Sequence, residues 1–179
     1  MILIVNVCKE RLHYFEFVKP VEDILRANNG LFFTKHYLEV GDGDLAKCDK
    51  IIICGTSLAD NGFMGDVKKF SWIKNFEKPI FGICAGMQIF GIIFGGELKK
   101  QTEIGFFHEG FEKEFFGIKG EREVYHLHNY YVDFSGVKDF KIYSYSKISQ
   151  AVKHKKKEIY GVLFHPEVRN KEMLMEFVK

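Results

Sequence analysis

Three short runs of this 179-residue chain are apolar at nearly every position: residues 2–7 (ILIVNV), 50–54 (KIIIC) and 79–84 (PIFGIC). A strand with one wet face alternates apolar and polar side chains. A strand without that alternation is buried on both faces, which is the condition of a strand inside a parallel sheet covered by helices. Helical spacing between the runs supports this. Tyr14, Val18, Val21 and Leu25 fall on one face of a segment over residues 14–27, and Pro20 within it marks a start or a kink. Asn28-Asn29-Gly30 stops that helix. A second strand is expected over residues 31–36, a helix over 67–75, and another helix over 86–94 that ends at Gly95-Gly96. The first half therefore reads as alternating strand and helix, an α/β parallel sheet.

From Glu97 the texture changes to short Phe-, Tyr- and Val-rich segments broken by Gly and Lys. Strands are expected over residues 124–132, 140–145, 148–153 and 159–164, with a closing helix over 171–178. Nothing resembles a repeat or a linker, so the expectation is a single domain over residues 1–179 with a β-rich second half.

Composition narrows the function classes. A formal net charge of +2 leaves no electrostatic footprint for nucleic acid. The dense basic run at residues 153–157 lies between two strand-like segments and reads as a solvated hairpin tip. No apolar run approaches the ~18 residues of a membrane span. There are four cysteines, no C-x-x-C pair and no secretory signal. A reduced, cytoplasmic setting is the expectation, with no nucleic acid and no membrane as partner.

Cys8, Cys54 and Cys84 each close one of the apolar runs, and Cys84 stands out among them. Gly82-Ile83-Cys84-Ala85-Gly86 is G-x-C-x-G between a strand and a helix, the thiol form of the nucleophile elbow. The two glycines let a tight turn form and the backbones pack closely. The positive end of the following helix favours thiolate, the species that attacks carbonyls. The Ala85 N–H points toward any oxyanion forming beside the sulfur. Far downstream, Phe164-His165-Pro166-Glu167 follows another apolar strand. In extended chain, positions i and i+2 share a face, so Glu167 can hold one imidazole nitrogen of His165 and leave the other to the thiol. The remaining histidines show no H-x-x-x-H spacing. His126-Leu127-His128 can offer two nitrogens from one strand face, but no third ligand is evident. No metal and no cofactor are expected.

At these residues the chain resembles the class I, triad-type glutamine amidotransferases. Cys84-Ala85-Gly86-Met87-Gln88 matches their C-x-G-x-Q elbow, and Phe164-His165-Pro166-Glu167 their downstream F-H-P-E. The resemblance implies a flavodoxin-like, mostly parallel sheet with helices on both faces. It also implies hydrolysis of the glutamine side-chain amide, with ammonia passed to a separate synthase, an ATP-dependent amidation subunit. It implies Cys84 as nucleophile, His165 as acid/base, Glu167 as its orienter and Gln88 as a substrate-holding residue. Gly55 falls in the family's oxyanion loop, commonly G-G-P-G, which here reads Cys54-Gly55-Thr56-Ser57. His128-Asn129-Tyr130 is similar to a segment that contacts the amino-acid end of glutamine in several members. Compact length, the GGEL after the elbow helix and the IYGVLFHPEV ending look most like the free-standing glutaminase subunit of archaeal GMP synthase. The HNYYVD stretch looks closer to the carbamoyl phosphate and CTP synthetase glutaminases, and the acceptor stays open. Two rivals remain: a gamma-glutamyl hydrolase acting alone, and a non-catalytic regulatory subunit on the same fold. A partner needs a docking surface near the crevice mouth, and the Phe-rich stretch over residues 106–118 can contribute one, although its alternating Phe residues read first as the core face of a strand.

Overall fold

A computed structural model describes residues 1–144 and 146–179. Its central sheet has the strand order β2-β1-β3-β4-β9-β8-β7. Here β1 is Ile2–Asn6, β2 Phe32–His36, β3 Lys50–Ile53, β4 Ile80–Ile83, β7 Phe140–Ile142, β8 Ala151–His154 and β9 Ile159–Val162. The first five strands in that order run parallel, and β8 and β7 add antiparallel at one edge. The apolar runs of the sequence are the inner parallel strands, as expected from their lack of alternation. Successive residues feed opposite cores. Ile52 packs with Val21 and Leu25 on one face, while Ile51 and Ile53 pack with Phe63, Phe70 and Phe90 on the other.

The expected helix over residues 14–27 divides at Pro20. After a short turn α1 (Arg11–His13), residues Tyr14–Val18 form a π-helix, and α2 covers Lys19–Ala27 with the proline in its first turn. Proline brings no N–H to the ladder, and the widened turn just before it lets the Lys19 N–H reach the Tyr14 carbonyl. Two short helices, α3 (Asp42–Lys47) and α4 (Gly62–Gly65), were not anticipated. The helix expected over residues 67–75 is a 3-10 segment, Val67–Lys74. The elbow helix α5 is Ala85–Ile93 and the closing helix α6 is Glu172–Val178. Among the described residues, no helix is long and apolar enough to cross a membrane.

The largest departure lies in the second half. Strands β5 (Glu97–Phe115) and β6 (Ile118–Asp133) form one long antiparallel hairpin apart from the main sheet. Its turn is Phe116-Gly117, with φ of 49° and 78°. Two positive φ values in a two-residue loop match the twist of the strands. Phe116 holds this position because its ring packs against Phe81, Tyr160 and Phe177. The Phe-rich stretch is divided: Phe111 and Phe115 are buried, Phe106 is exposed. The strand expected over residues 140–145 ends at Ile142, and Tyr145 lies outside the described residues. The strand expected over 148–153 is shorter and shifted, at β8. Of the basic run expected at a hairpin tip, Lys155, Lys156 and Lys157 lie between β8 and β9, whereas Lys153 and His154 belong to β8 and His154 is buried.

Candidate active site

Three neighbouring parallel strands deliver the site. The loop after β3 brings Gly55, the turn after β4 brings Cys84, and the segment after β9 brings His165 and Glu167. Ligand crevices in open α/β sheets lie at these carboxyl ends.

Cys84 has φ 46° and ψ −97°, immediately before α5. Left-handed φ is uncommon for a residue with a Cβ and is a form of stored strain. The flanking glycines explain how the turn is built. A Cβ at Gly82 would stand 2.7 Å from the Gly86 backbone, and one at Gly86 would stand 2.7 Å from the Ile53 carbonyl oxygen. Any larger residue at either place would push α5 off the sheet. The Cys84 N–H donates to the Val162 carbonyl at 2.8 Å, which ties the elbow to β9.

His165 is 1% exposed and Glu167 3%. His165 Nδ1 lies 2.7 Å from Glu167 Oε1, so the ring N–H donates to the carboxylate. Nε2 has no aligned hydrogen-bond partner among the described residues, and it is the nitrogen left for Cys84. A Cβ placed at Gly55 would meet His165 Cε1 at 2.6 Å and Cys84 Cβ at 3.3 Å. The imidazole and the thiol therefore flank one point, with Gly55 closing the third side. Burial alone pulls the imidazole pKa down. The Glu167 carboxylate, and then the Cys84 thiol, more than reverse this and hold it well above the ordinary histidine value. Burial pushes the Cys8 thiol up to about 11, and burial together with the Glu167 charge holds Cys54 well above its ordinary range. Those two stay protonated and unreactive.

β6 runs across this pair. The Tyr125 carbonyl accepts from the His165 N–H at 2.8 Å, and the Leu127 carbonyl oxygen lies 3.7 Å from Cys84 Sγ. Gln88, one turn into α5, donates through Nε2 to the Tyr130 carbonyl at 2.7 Å and so fastens the elbow helix to β6. Asn129 donates to the Leu58 carbonyl at 3.1 Å and accepts from the Thr102 hydroxyl at 2.9 Å. These contacts close the crevice, and Cys84 is 4% exposed. Nearby, a cavity of about 410 Å³ is lined by Asn6, Cys8, Lys9, Arg11, Tyr14 and Phe15, with His36.

His128 makes its contacts with the hairpin and not with this group. Its Nε2 lies 3.0 Å from Glu103 Oε2 and 3.3 Å from His126 Nδ1, inside the hairpin. Two residues had no signal in the sequence. Asp60 accepts from the Lys9 N–H at 2.7 Å and the Thr56 hydroxyl at 3.0 Å, which locks the loop carrying Gly55 to the loop after β1. Glu103 meets His128 because the two are register partners. A register shift between Lys100 and Glu103 hides that pairing from any count along the sequence.

Known proteins share this architecture. A Thermoplasma acidophilum protein described as a candidate GMP synthase subunit superposes with a TM-score of 0.85 at 21% identity, over 99% of this chain and 91% of that one. A Thermotoga maritima glutamine amidotransferase superposes with a TM-score of 0.70 at 19% identity, over 93% and 75%. In sequence, the glutamine-hydrolysing GMP synthase subunit of Picrophilus torridus is 33% identical over 138 residues, 72% of each chain. That of Methanococcus aeolicus is 38% identical over 116 residues, 59% of each. The match therefore spans under two thirds of the Methanococcus aeolicus relative. The family model of class-I glutamine amidotransferases matches residues 18–179, a span that includes Cys84, His165 and Glu167. The chain belongs to the class-I glutamine amidotransferase family.

Proposed function

We propose that this chain is a glutaminase subunit that releases ammonia from the glutamine side chain for a separate synthase, GMP synthase being the leading acceptor. The observation that carries this reading is the left-handed Cys84 backbone beside a His165 held by Glu167, at the ends of adjacent strands.

Cys84 passes its thiol proton to His165, its sulfur attacks the amide carbon of glutamine, and the carbonyl π electrons move onto oxygen. Backbone N–H groups of Gly55 and Ala85 stabilise that oxyanion. His165 gives its proton to the leaving nitrogen, the C–N bond breaks, ammonia departs and a thioester remains. A water molecule then loses a proton to His165 and attacks the thioester, and glutamate leaves as the thiol recovers its proton. The raised His165 pKa suits this order, because the imidazolium is the acid needed first. Gln88 acts by holding β6 in place, and Asn129 and Tyr130 line the path by which the substrate enters. Nitrogen transfer needs a docked synthase, for which exposed Ile104 and Phe106 on the hairpin offer an apolar contact.

Cys84→Ala should lower ammonia release from glutamine by roughly three orders of magnitude or more, measured with the synthase present and with unchanged circular dichroism. Ammonia release at the wild-type rate would overturn the assignment. Turnover of gamma-glutamyl peptides in preference to glutamine would transfer the same residues to the hydrolase reading.

A further inference from the structure

On the buried face of the β5–β6 hairpin, where His126 packs against Phe164, three ligand-type atoms converge. His126 Nδ1, His128 Nε2 and Glu103 Oε2 form a triangle with edges of 3.3, 3.0 and 3.4 Å. Both histidine side chains are fully buried, and the Glu103 side chain is 16% exposed. Bonds of about 2.1 Å at tetrahedral angles separate ligand atoms by about 3.4 Å, so the triangle has the size of one face of a zinc-type coordination shell.

The surroundings decide between a metal and ordinary hydrogen bonds. Glu109 Oε1 lies 3.2 Å from His126 Nε2, at ion-pair distance but off the hydrogen-bond line. A neutral His126 has one ring proton for two carboxylates: with it on Nδ1 the Nε2 lone pair faces Glu109 at 3.2 Å, and with it on Nε2 the Nδ1 lone pair faces Glu103 at 3.4 Å, and either is repulsive. With a cation at the triangle, Nδ1 offers its lone pair to the ion and Nε2–H turns to Glu109. That is the carboxylate–histidine–metal arrangement that orients ligand histidines. Gln150 Nε2 donates to the same Glu103 oxygen at 2.9 Å and fixes the carboxylate.

We propose that Glu103, His126 and His128 bind one divalent transition-metal ion of the zinc class. The ion clamps β5 to β6 beside Leu127, the residue whose carbonyl meets the Cys84 thiol. The sequence expectation of no metal rested on the lack of a third ligand, and Glu103 supplies it from the facing strand.

The test uses the full chain, stripped with a chelator and titrated with Zn²⁺ by calorimetry and with Co²⁺ by visible absorption. One ion per chain should bind, with d–d bands for Co²⁺ and a rise in Tm that a chelator reverses. Cys84→Ser should bind as well as the wild type, which separates this site from metal capture by the thiol. His128→Ala should lose uptake. The near-isosteric Glu103→Gln, which preserves shape if His128→Ala does not fold, should bind at least roughly tenfold more weakly. No uptake by the wild type would overturn the proposal. Uptake with wild-type affinity in folded Glu103→Gln, or lost only in Cys84→Ser, would overturn it equally.

Discussion

Cys84, His165 and Glu167 were legible as a candidate triad because their residue types match a chemical need: a nucleophile, a base and a group to orient it. Gly55 was legible only through resemblance, and the structure supplies a steric reason for it. A Cβ there would strike the His165 ring at 2.6 Å, and that ring cannot retreat because Glu167 and full burial hold it. Gly55→Ala should leave the fold intact and lower glutamine turnover by about 10²-fold, the usual result of displacing a reacting group by an ångström. Undiminished turnover would show that His165 has slack. Glu167→Gln should act through charge. The folded-state pKa of His165 is raised, so its contribution to stability is complete below the unfolded value and fades as pH climbs through the folded one. Removing the carboxylate charge should move the imidazole titration, followed by NMR, downward by about one unit or more. An unmoved titration would mean that Glu167 does not set it. Glu103 and Asp60 were invisible for the opposite reason: an isolated acid in a sequence does not reveal what it will face.

Among the elements, the apolar parallel strands and α5 were readable from pattern alone, because burial on both faces leaves no alternation to misread. The β5–β6 hairpin was not. Its register shifts between Lys100 and Glu103 and between Phe111 and Phe115 break the period of two, so one long hairpin looks like several short strands. Its turn residue Phe116 is a poor turn former that is kept in place by tertiary packing. This hairpin is also what covers the sulfur. The Asn129–Leu58 bond joins it to the loop carrying Gly55. Asn129→Ala should loosen that closure and raise the rate at which iodoacetamide alkylates Cys84, read by mass spectrometry of its peptide. Cys8 and Cys54, kept protonated by burial, serve as internal controls that should stay unlabelled. An unchanged rate at Cys84 would mean that entry opens elsewhere.

Across the molecule, one aromatic junction joins parts distant in sequence. Phe81 of β4 packs against Phe116 at the hairpin turn and Phe177 of α6. Phe81→Ala should cost about 3–5 kcal/mol, measured by urea unfolding. A loss below 1 kcal/mol, small against the roughly 3–5 kcal/mol expected, would show that the junction repacks freely. The α/β class and strand sequence followed from composition and periodicity, whereas the separate hairpin sheet did not, since antiparallel strands can join a main sheet or leave it with the same local pattern. The strand order carries a consequence in time. Cys84 follows β4 and His165 follows β9, with the entire hairpin synthesised between them. On the ribosome the sulfur emerges long before anything can activate it. On the proposed mechanism, a growing chain cannot set ammonia free until β9 slots in beside β4, and newborn molecules are chemically silent.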